Sequence, residues 1–306
     1  MLYGIIDLGS NSIRLNVYEC KDQNARLLFS KKETAGIISY VKKSVLSEEG
    51  IGLLCKVLHS FKTLLGSVDI ANYCVFSTAS LRNLKNREDV LHIVKKETGI
   101  TIDVLSGETE GKLSFFGATM HIAQQEGLYI DLGGGSCELV YFKDKTIFQV
   151  FSIPIGSLSM FNRYISKILP KEGEQRAIRQ RVQKELDANI PNHFPRVIPF
   201  LCGAGGSIRA IVSIMEALDI KDRKDEEFPC ETLDTMYADY KHTPREVCHT
   251  ILRTKPDRIH TLLPGLFIVS EIARYFHCET MQVSGYGVRE GYLHDTVLGN
   301  GKYHGK

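Results

Sequence analysis

No run of about 18 apolar residues occurs in this 306-residue sequence, so a membrane-spanning helix is not expected. The chain opens MLYGIIDLGS, without a basic segment or a small-residue cleavage site, and a secretory signal is not expected either. The eight cysteines (Cys20, Cys55, Cys74, Cys137, Cys202, Cys230, Cys248, Cys278) form no Cys-x-x-Cys pair. That argues against a zinc ribbon or a disulfide scaffold and predicts reduced thiols in a cytoplasm. Among the ten histidines there is no His-Glu-x-x-His. His242 with Cys248 and His249 is the nearest metal-like grouping, but no second cluster completes a tetrahedral site, and it reads as surface helix and turn. Charge of one sign is also scarce: 38 Lys and Arg face 36 Asp and Glu, a net charge of +2. A polyanion would therefore have to be met by a local patch, and no specific nucleic-acid partner is expected. With 43% hydrophobic and 24% charged residues and no low-complexity stretch, the chain reads as globular, long enough for two ordinary domains.

What the sequence does contain is a repeat. GIIDLGSNSIRLNVYE near the start returns as YIDLGGGSCELVYF, shifted by 124 residues. The shift superimposes Ile6 on Ile130, Asp7 on Asp131, Leu8 on Leu132, Gly9 on Gly133, Ser12 on Ser136 and Leu15 on Leu139. Each copy runs from an apolar strand into an acid, a turn of small residues and a second alternating strand. The copies differ at one telling place, where Arg14 of the first aligns with Glu138 of the second.

Apolar patterning predicts strands near 3–8, 13–19, 26–31, 73–77, 101–105, 128–132, 137–143, 146–153, 197–202 and 280–284. Helical spacing covers 50–65, 86–98, 108–124, 173–189, 207–218, 231–239, 244–252, 262–276 and 287–297. Each half thus begins strand, turn, strand, strand and then alternates with helices, a mixed α/β pattern used twice. The boundary is placed just before the second hairpin, giving domains 1–124 and 125–306, with the last helix allowed to pack back on the first. The charge run KDRKDEEF (221–228) reads as a solvated loop, and the tail GNGKYHGK as frayed.

Gly133, Gly134 and Gly135 can expose consecutive amides as an anion-binding concavity, to which Ser136 adds a hydroxyl. Asp131 at the strand end and Glu138 on the returning strand form a carboxylate pair suited to Mg²⁺ or another divalent cation on a phosphate. A second glycine turn, Gly203, Gly205, Gly206 and Ser207, leads into an amphipathic helix. A third, Gly285 and Gly287, leads into a helix carrying Arg289. Neither is the dinucleotide fingerprint. FSTASLRNLKN presents Arg82, then Lys85 and Arg87, and VLSGETEGKLSFFGA carries Glu108 and Glu110. Two residues apart on a helix, these acids point about 200° apart, so at most one faces a cleft; Glu108 reads as a first-turn acid favoured by the helix dipole.

Together DLGSNS (7–12), STASLR (77–82), SGETEGKL (106–113), DLGGGSCE (131–138), IPIGS (153–157), GAGGS (203–207), PDR…LPGL (256–266) and GVREG (287–291) resemble the exopolyphosphatase / guanosine pentaphosphate phosphohydrolase family, in its short two-domain form. The resemblance implies an α/β fold of two duplicated actin-like ATPase (ribonuclease H-like) domains, with mixed sheets and a cleft between them. It places the catalytic glutamate of a Ser-Gly-x-Glu-Glu motif at Glu110, with Thr109 replacing the first acid; Cys137 replaces a family threonine, and SLSMFNRY after Gly156 carries less charge than the family often does. The implied reaction is hydrolysis of a terminal phosphoanhydride of inorganic polyphosphate, with guanosine pentaphosphate as the alternative substrate. Glu110 would orient and deprotonate water, and Arg82 would neutralise the transferring group. Asp131 and Glu138 would hold Mg²⁺, with Asp7 nearby through water. Asn11, Ser12, Gly134, Gly135, Ser136, Gly205, Gly206, Ser207 and Arg289 would bind phosphate, and Lys85 and Arg209 the rest of the chain. A homodimer is allowed for. A kinase of the same fold is disfavoured by the Arg82 and Glu110 motifs, and a chaperone-like switch lacks an added peptide-binding segment.

Overall fold

Two apolar alternations separated by four small residues close an antiparallel hairpin, and the chain closes it twice. In the computed structural model, which describes residues 1–21, 24–119 and 122–299, β1 (Leu2–Leu8) pairs with β2 (Ile13–Lys21), and β3 (Asn24–Glu33) extends the meander. A 3₁₀ turn (Ile37–Tyr40) and a miniature hairpin, β4 (Val41–Lys42) with β5 (Val45–Leu46), follow; its two turn residues, Lys43 and Ser44, both take positive φ, as a tight primed turn requires.

The next strand, β6 (Tyr73–Ser77), lies parallel to β1, so the chain must cross over, and α1 (Glu48–Ser67) does this. Ile51, Leu54, Leu58, Phe61 and Leu65 recur at helical spacing and bury one stripe against Ile6, Leu15 and Val17 of the sheet. Ser47 caps its start, the hydroxyl accepting from the Gly50 amide at 3.2 Å, with Glu48 and Glu49 in the first turn complementing the dipole. Ser47→Ala should cost about 1 kcal/mol, read as a lower urea midpoint at unchanged slope. An unchanged midpoint would show the cap to be dispensable. After α2 (Ala79–Arg82) and α3 (Arg87–Thr98), β7 (Asp103–Val104) completes a five-stranded sheet in the order β3-β2-β1-β6-β7. The helix α4 (Gly107–Thr119) then leads away.

The second sheet repeats this order: β10 (Thr146–Ile153), β9 (Cys137–Lys143), β8 (Glu126–Leu132), β11 (Phe200–Ala204), β13 (Thr280–Val283), with β12 (Glu227–Pro229) added at the edge. Its helices are α5 (Ser157–Tyr164), α6 (Glu172–Asn189), α7 (Gly206–Ala217), α8 (Thr232–His242), α9 (Pro244–Thr254), α10 (Leu262–Tyr275) and α11 (Val288–Tyr292). Leu262 through Ser270 are all buried, so α10 is apolar all round and packs against α5, α6, α7 and α8 as the central helix of its core. The 124-residue shift carries one hairpin's register into the other: Asp7 stands opposite Arg14, and Asp131 opposite Glu138. Contacts divide the chain into two compact units, Met1–Leu113 with the segment from Arg289 on, and Ser114–Val288. The division falls inside α4 and again inside α11.

Several elements depart from the sequence expectation. The strand expected at 197–202 begins at Phe200, because Pro199 has no N–H to give a ladder and the Ile198 amide donates to Phe276 O instead. The charge run 221–228 is not wholly solvated: Lys221 is buried, donating to the carbonyls of Asp222 and Asp225, and Phe228 is buried in β12. The helix expected at 287–297 is α-helical to Tyr292 and then a π turn over Leu293–Val297. Residues 120–121 of the helix expected at 108–124, and the tail from 300 on, lie outside the described residues.

Candidate active site

The turn of the second hairpin is fixed from one side by a helix that sequence periodicity missed. The Gly133 carbonyl accepts from the Ser157 amide at 3.1 Å, and the Gly134 carbonyl accepts from Leu158 and Ser159 at 3.0 and 2.9 Å. All three donors belong to the first turn of α5, whose amides have no partner within the helix. This approach needs glycine at 156, where a Cβ would stand 2.4 Å from the Gly134 carbonyl. With the carbonyls committed to α5, the amides of Gly134 and Gly135 find no acceptor among the described residues. That is the donor arrangement a phosphate needs.

Beside the turn, Asp131 and Glu138 face each other across the β8–β9 ladder. Glu138 is only 1% exposed, and its carboxylate accepts from the hydroxyls of Ser136 at 2.8 Å and Ser152 at 2.9 Å. Asp131 accepts from the Ser114 hydroxyl through Oδ2. The space beside its other oxygen is kept by Gly205, where a Cβ would stand 2.7 Å from Oδ1. Among the described residues no group of three or more His, Cys, Asp or Glu is arranged to cage a metal. Two hard oxygen ligands beside unsatisfied amides instead suit a cation such as Mg²⁺, which binds through one or two carboxylates and completes its shell with water and phosphate oxygens. The residues fit the group.

Gly205 opens α7 with a φ of +93°. At the same turn the Ser207 hydroxyl lies 2.8 Å from that of Ser157, so the starts of α7 and α5 share a hydroxyl pair. The Arg258 guanidinium packs over Gly206, close enough that a Cβ there would meet Nη2 at 2.6 Å. Burial pushes this guanidinium below its ordinary pKa, with Asp257 opposing from 3.7 Å. A cation held at the positive end of a helix invites an anion. Arg209, on α7, donates to the Ser284 carbonyl at 3.3 Å.

In the other unit the hairpin turn is held from behind, with Gly36 donating to the Asn11 carbonyl and Ile38 to that of Ser10. The buried Asn11 Nδ2 has no partner among the described residues, a donor without an acceptor. Ser12 lies half-buried in the same turn. Arg82, at the end of α2, donates to Glu110 at 2.6 Å and to the Leu105 carbonyl at 3.3 Å. Glu110 is 7% exposed, whereas Glu108 is exposed and pairs with Lys112 at 2.5 Å, so the two acids diverge as the helical angle requires. Asp7 and Arg289, read from sequence as a water-linked metal ligand and a phosphate ligand, are brought together at 3.3 Å. Lys85 is exposed.

Sequence reading passed over four residues here. Ser152 stands opposite Glu138 in the β9–β10 register, so strand alternation could have found it. Ser114 lies four residues after Glu110, one turn along the helix, and that spacing was a usable signal. Ser157 and Arg258 sat within quoted motifs, but nothing local ties them to Ser207 and Gly206.

The chain's residues 16–300 match the family model of the Ppx/GppA phosphatase family. A Haemophilus influenzae protein provisionally named an exopolyphosphatase is 26% identical over 94% of this chain and 89% of its own length. The guanosine-5'-triphosphate,3'-diphosphate pyrophosphatase of Pseudoalteromonas atlantica is 25% identical over 96% of the chain, which spans 58% of that relative. Among solved structures, an Aquifex aeolicus Ppx/GppA family member superimposes with a TM-score of 0.76 at 25% identity, covering 97% of this chain and 98% of that one. An exopolyphosphatase from Cytophaga hutchinsonii, 18% identical, shares the fold with a TM-score of 0.83 over 98% of this chain and 100% of its own. A match extending over most of the sequence, on a fold shared from end to end, makes this chain a member of the Ppx/GppA phosphatase family.

Proposed function

We propose that the chain is an exopolyphosphatase, which releases orthophosphate from the end of inorganic polyphosphate by hydrolysing the terminal phosphoanhydride. The observation that carries the reading is the buried Glu110 in the grip of Arg82, a carboxylate and a guanidinium 2.6 Å apart. Phosphoryl transfer asks chiefly for positioning and for neutralisation of spreading negative charge. Glu110 holds a water and takes one of its protons as the oxygen attacks the terminal phosphorus. The anhydride P–O bond breaks, and the shortened polyphosphate leaves with the bonding pair. Arg82, a planar cation beside Glu110, neutralises charge on the transferring oxygens. Asn11, Ser12 and Ser136, with the amides of Gly134 and Gly135, bind terminal phosphates. Gly205, Gly206, Ser207 and Arg289 belong to the same phosphate-binding set, with Lys85 and Arg209 for the rest of the chain. Asp131 and Glu138, with Asp7 through water, hold a divalent cation, Mg²⁺ in this reading, which when bound offsets phosphate charge. The Pseudoalteromonas relative's name supports guanosine pentaphosphate as a second substrate.

The proposed setting is cytoplasmic, in keeping with eight free thiols; among the described residues no helix is long and apolar enough to cross a membrane. The homodimer belongs to the same proposal, and the mass in solution tests it. Phosphate release from long polyphosphate, short polyphosphate and guanosine pentaphosphate, measured in parallel with ATP and a sugar panel as the kinase control, tests the activity. Orthophosphate should appear from polyphosphate with Mg²⁺ and cease on chelation with EDTA. No release from any phosphoanhydride would overturn the reading.

A further inference from the structure

Residues 129 and 131 alternate onto one face of β8, and α4 covers that face. Tyr129 is fully buried there, its ring edge-on to Phe115 of α4 at 5.8 Å within a cluster that includes Val140, Phe142 and Phe200. Its hydroxyl lies 2.7 Å from that of Ser114, itself 0% exposed, and the Ser114 hydroxyl also meets Asp131 Oδ2. Ionised, Asp131 can only accept, so Ser114 must spend its single proton on it. Ser114 can then only accept from Tyr129, whose phenol carries a proton at neutral pH. The proton direction along this chain is therefore fixed: Tyr129 to Ser114 to Asp131.

We infer that Ser114, backed by Tyr129, is a positioning residue that sets the orientation of Asp131 toward a divalent cation. The inference rests on the reading of Asp131 as a cation ligand. One carboxylate oxygen is held by a hydroxyl that cannot turn away without stranding a buried phenol. The other oxygen faces the glycine turn, where a Cβ at Gly205 would crowd it at 2.7 Å. Gly287 completes the enclosure: a Cβ there would stand 3.4 Å from Ser114 Oγ and 3.9 Å from Asp131 Oδ2. A carboxylate fixed in this way loses little freedom when a cation arrives. Groups that orient metal ligands from behind typically account for about 10–100-fold in affinity.

The test compares the full chain with Ser114→Ala, Tyr129→Phe and Asp131→Asn, using Mn²⁺ alone as the probe and the paramagnetic signal of unbound Mn²⁺ as the readout. Phosphate release as a function of Mg²⁺ concentration runs alongside. Ser114→Ala should weaken Mn²⁺ binding about 10–100-fold and raise the Mg²⁺ needed for half-maximal rate. The KM for polyphosphate at saturating Mg²⁺ should stay near the parent value, which a merely structural role would not predict, while the metal-free melting temperature should fall because the buried Tyr129 hydroxyl is stranded. Tyr129→Phe removes one hydroxyl from a ring that stays packed, and should shift Mn²⁺ affinity in the same direction by a smaller factor. Parent-like Mn²⁺ binding in both of these variants, with binding lost in Asp131→Asn, would overturn the inference and leave the ligand reading standing. Parent-like binding in Asp131→Asn would overturn both together.

Discussion

Glu110→Gln should slow orthophosphate release by about 10²–10⁴-fold while leaving polyphosphate binding within a few-fold of the parent. That loss corresponds to roughly 3–5 kcal/mol of barrier. The substitution keeps size, shape and one oxygen able to accept from Arg82, which approaches Glu110 at 2.6 Å. What it removes is the capacity to take a proton from water. Single-turnover release at saturating polyphosphate measures the chemical step, and equilibrium retention of polyphosphate measures binding. A fully active Glu110→Gln protein would remove Glu110 from the mechanism. Weakened binding with an unchanged single-turnover rate would reassign it to substrate contact.

Gly205→Ala should combine a stability loss on the order of 2–5 kcal/mol with loss of cation-dependent turnover. Two independent strains add here. The backbone sits at φ +93° and ψ 161°, a region open to glycine and nearly closed to residues with a Cβ. The new methyl would also lie 2.6 Å from the Leu132 carbonyl and 2.7 Å from Asp131 Oδ1. Neither neighbour yields easily: Leu132 is backbone in the central hairpin, and Asp131 is tied through Ser114. Chemical denaturation reads the first effect and Mn²⁺ binding the second. Gly173→Ala makes the control, because nothing lies within 4 Å of the Cβ it would add in α6; as a helical Gly→Ala change it should be neutral or mildly stabilising. A Gly205→Ala protein as stable and as metal-responsive as the parent would mean that the turn can re-form without its left-handed residue.

Much of this architecture was legible because local pattern and tertiary role coincide. The two hairpins follow from alternation plus a small-residue turn, and the 124-residue repeat aligned Asp7 with Asp131 and Arg14 with Glu138, positions that the structure pairs across each hairpin. The divergence of Glu108 and Glu110 followed from helix geometry alone. What escaped depends on distant partners. Ser157 meets Ser207 across 50 positions of sequence, and Arg258 finds Gly206 only because the segment before α10 passes over the start of α7. The helix α5 has a serine-rich first turn and owes its start to carbonyls offered by the hairpin. The last helix was allowed to pack back on the first domain, but the pairing of Asp7 with Arg289 itself was not read, since no local signal encodes it.

The helix α4 is a ruler as well as a connector, because Ser114 must meet Asp131 while Phe115 and Ala118 stay packed in the cluster with Tyr129. Its exposed side, where Glu108 and Lys112 pair, can change composition freely. Its length cannot. A single residue inserted after Phe115 would rotate the helix beyond it by about 100° and advance it by about 1.5 Å, turning Ala118 out of the cluster around Tyr129 while Ser114 kept its place beside Asp131. Drift in this helix should therefore be confined to substitution, with insertions and deletions absorbed in the loops at either end.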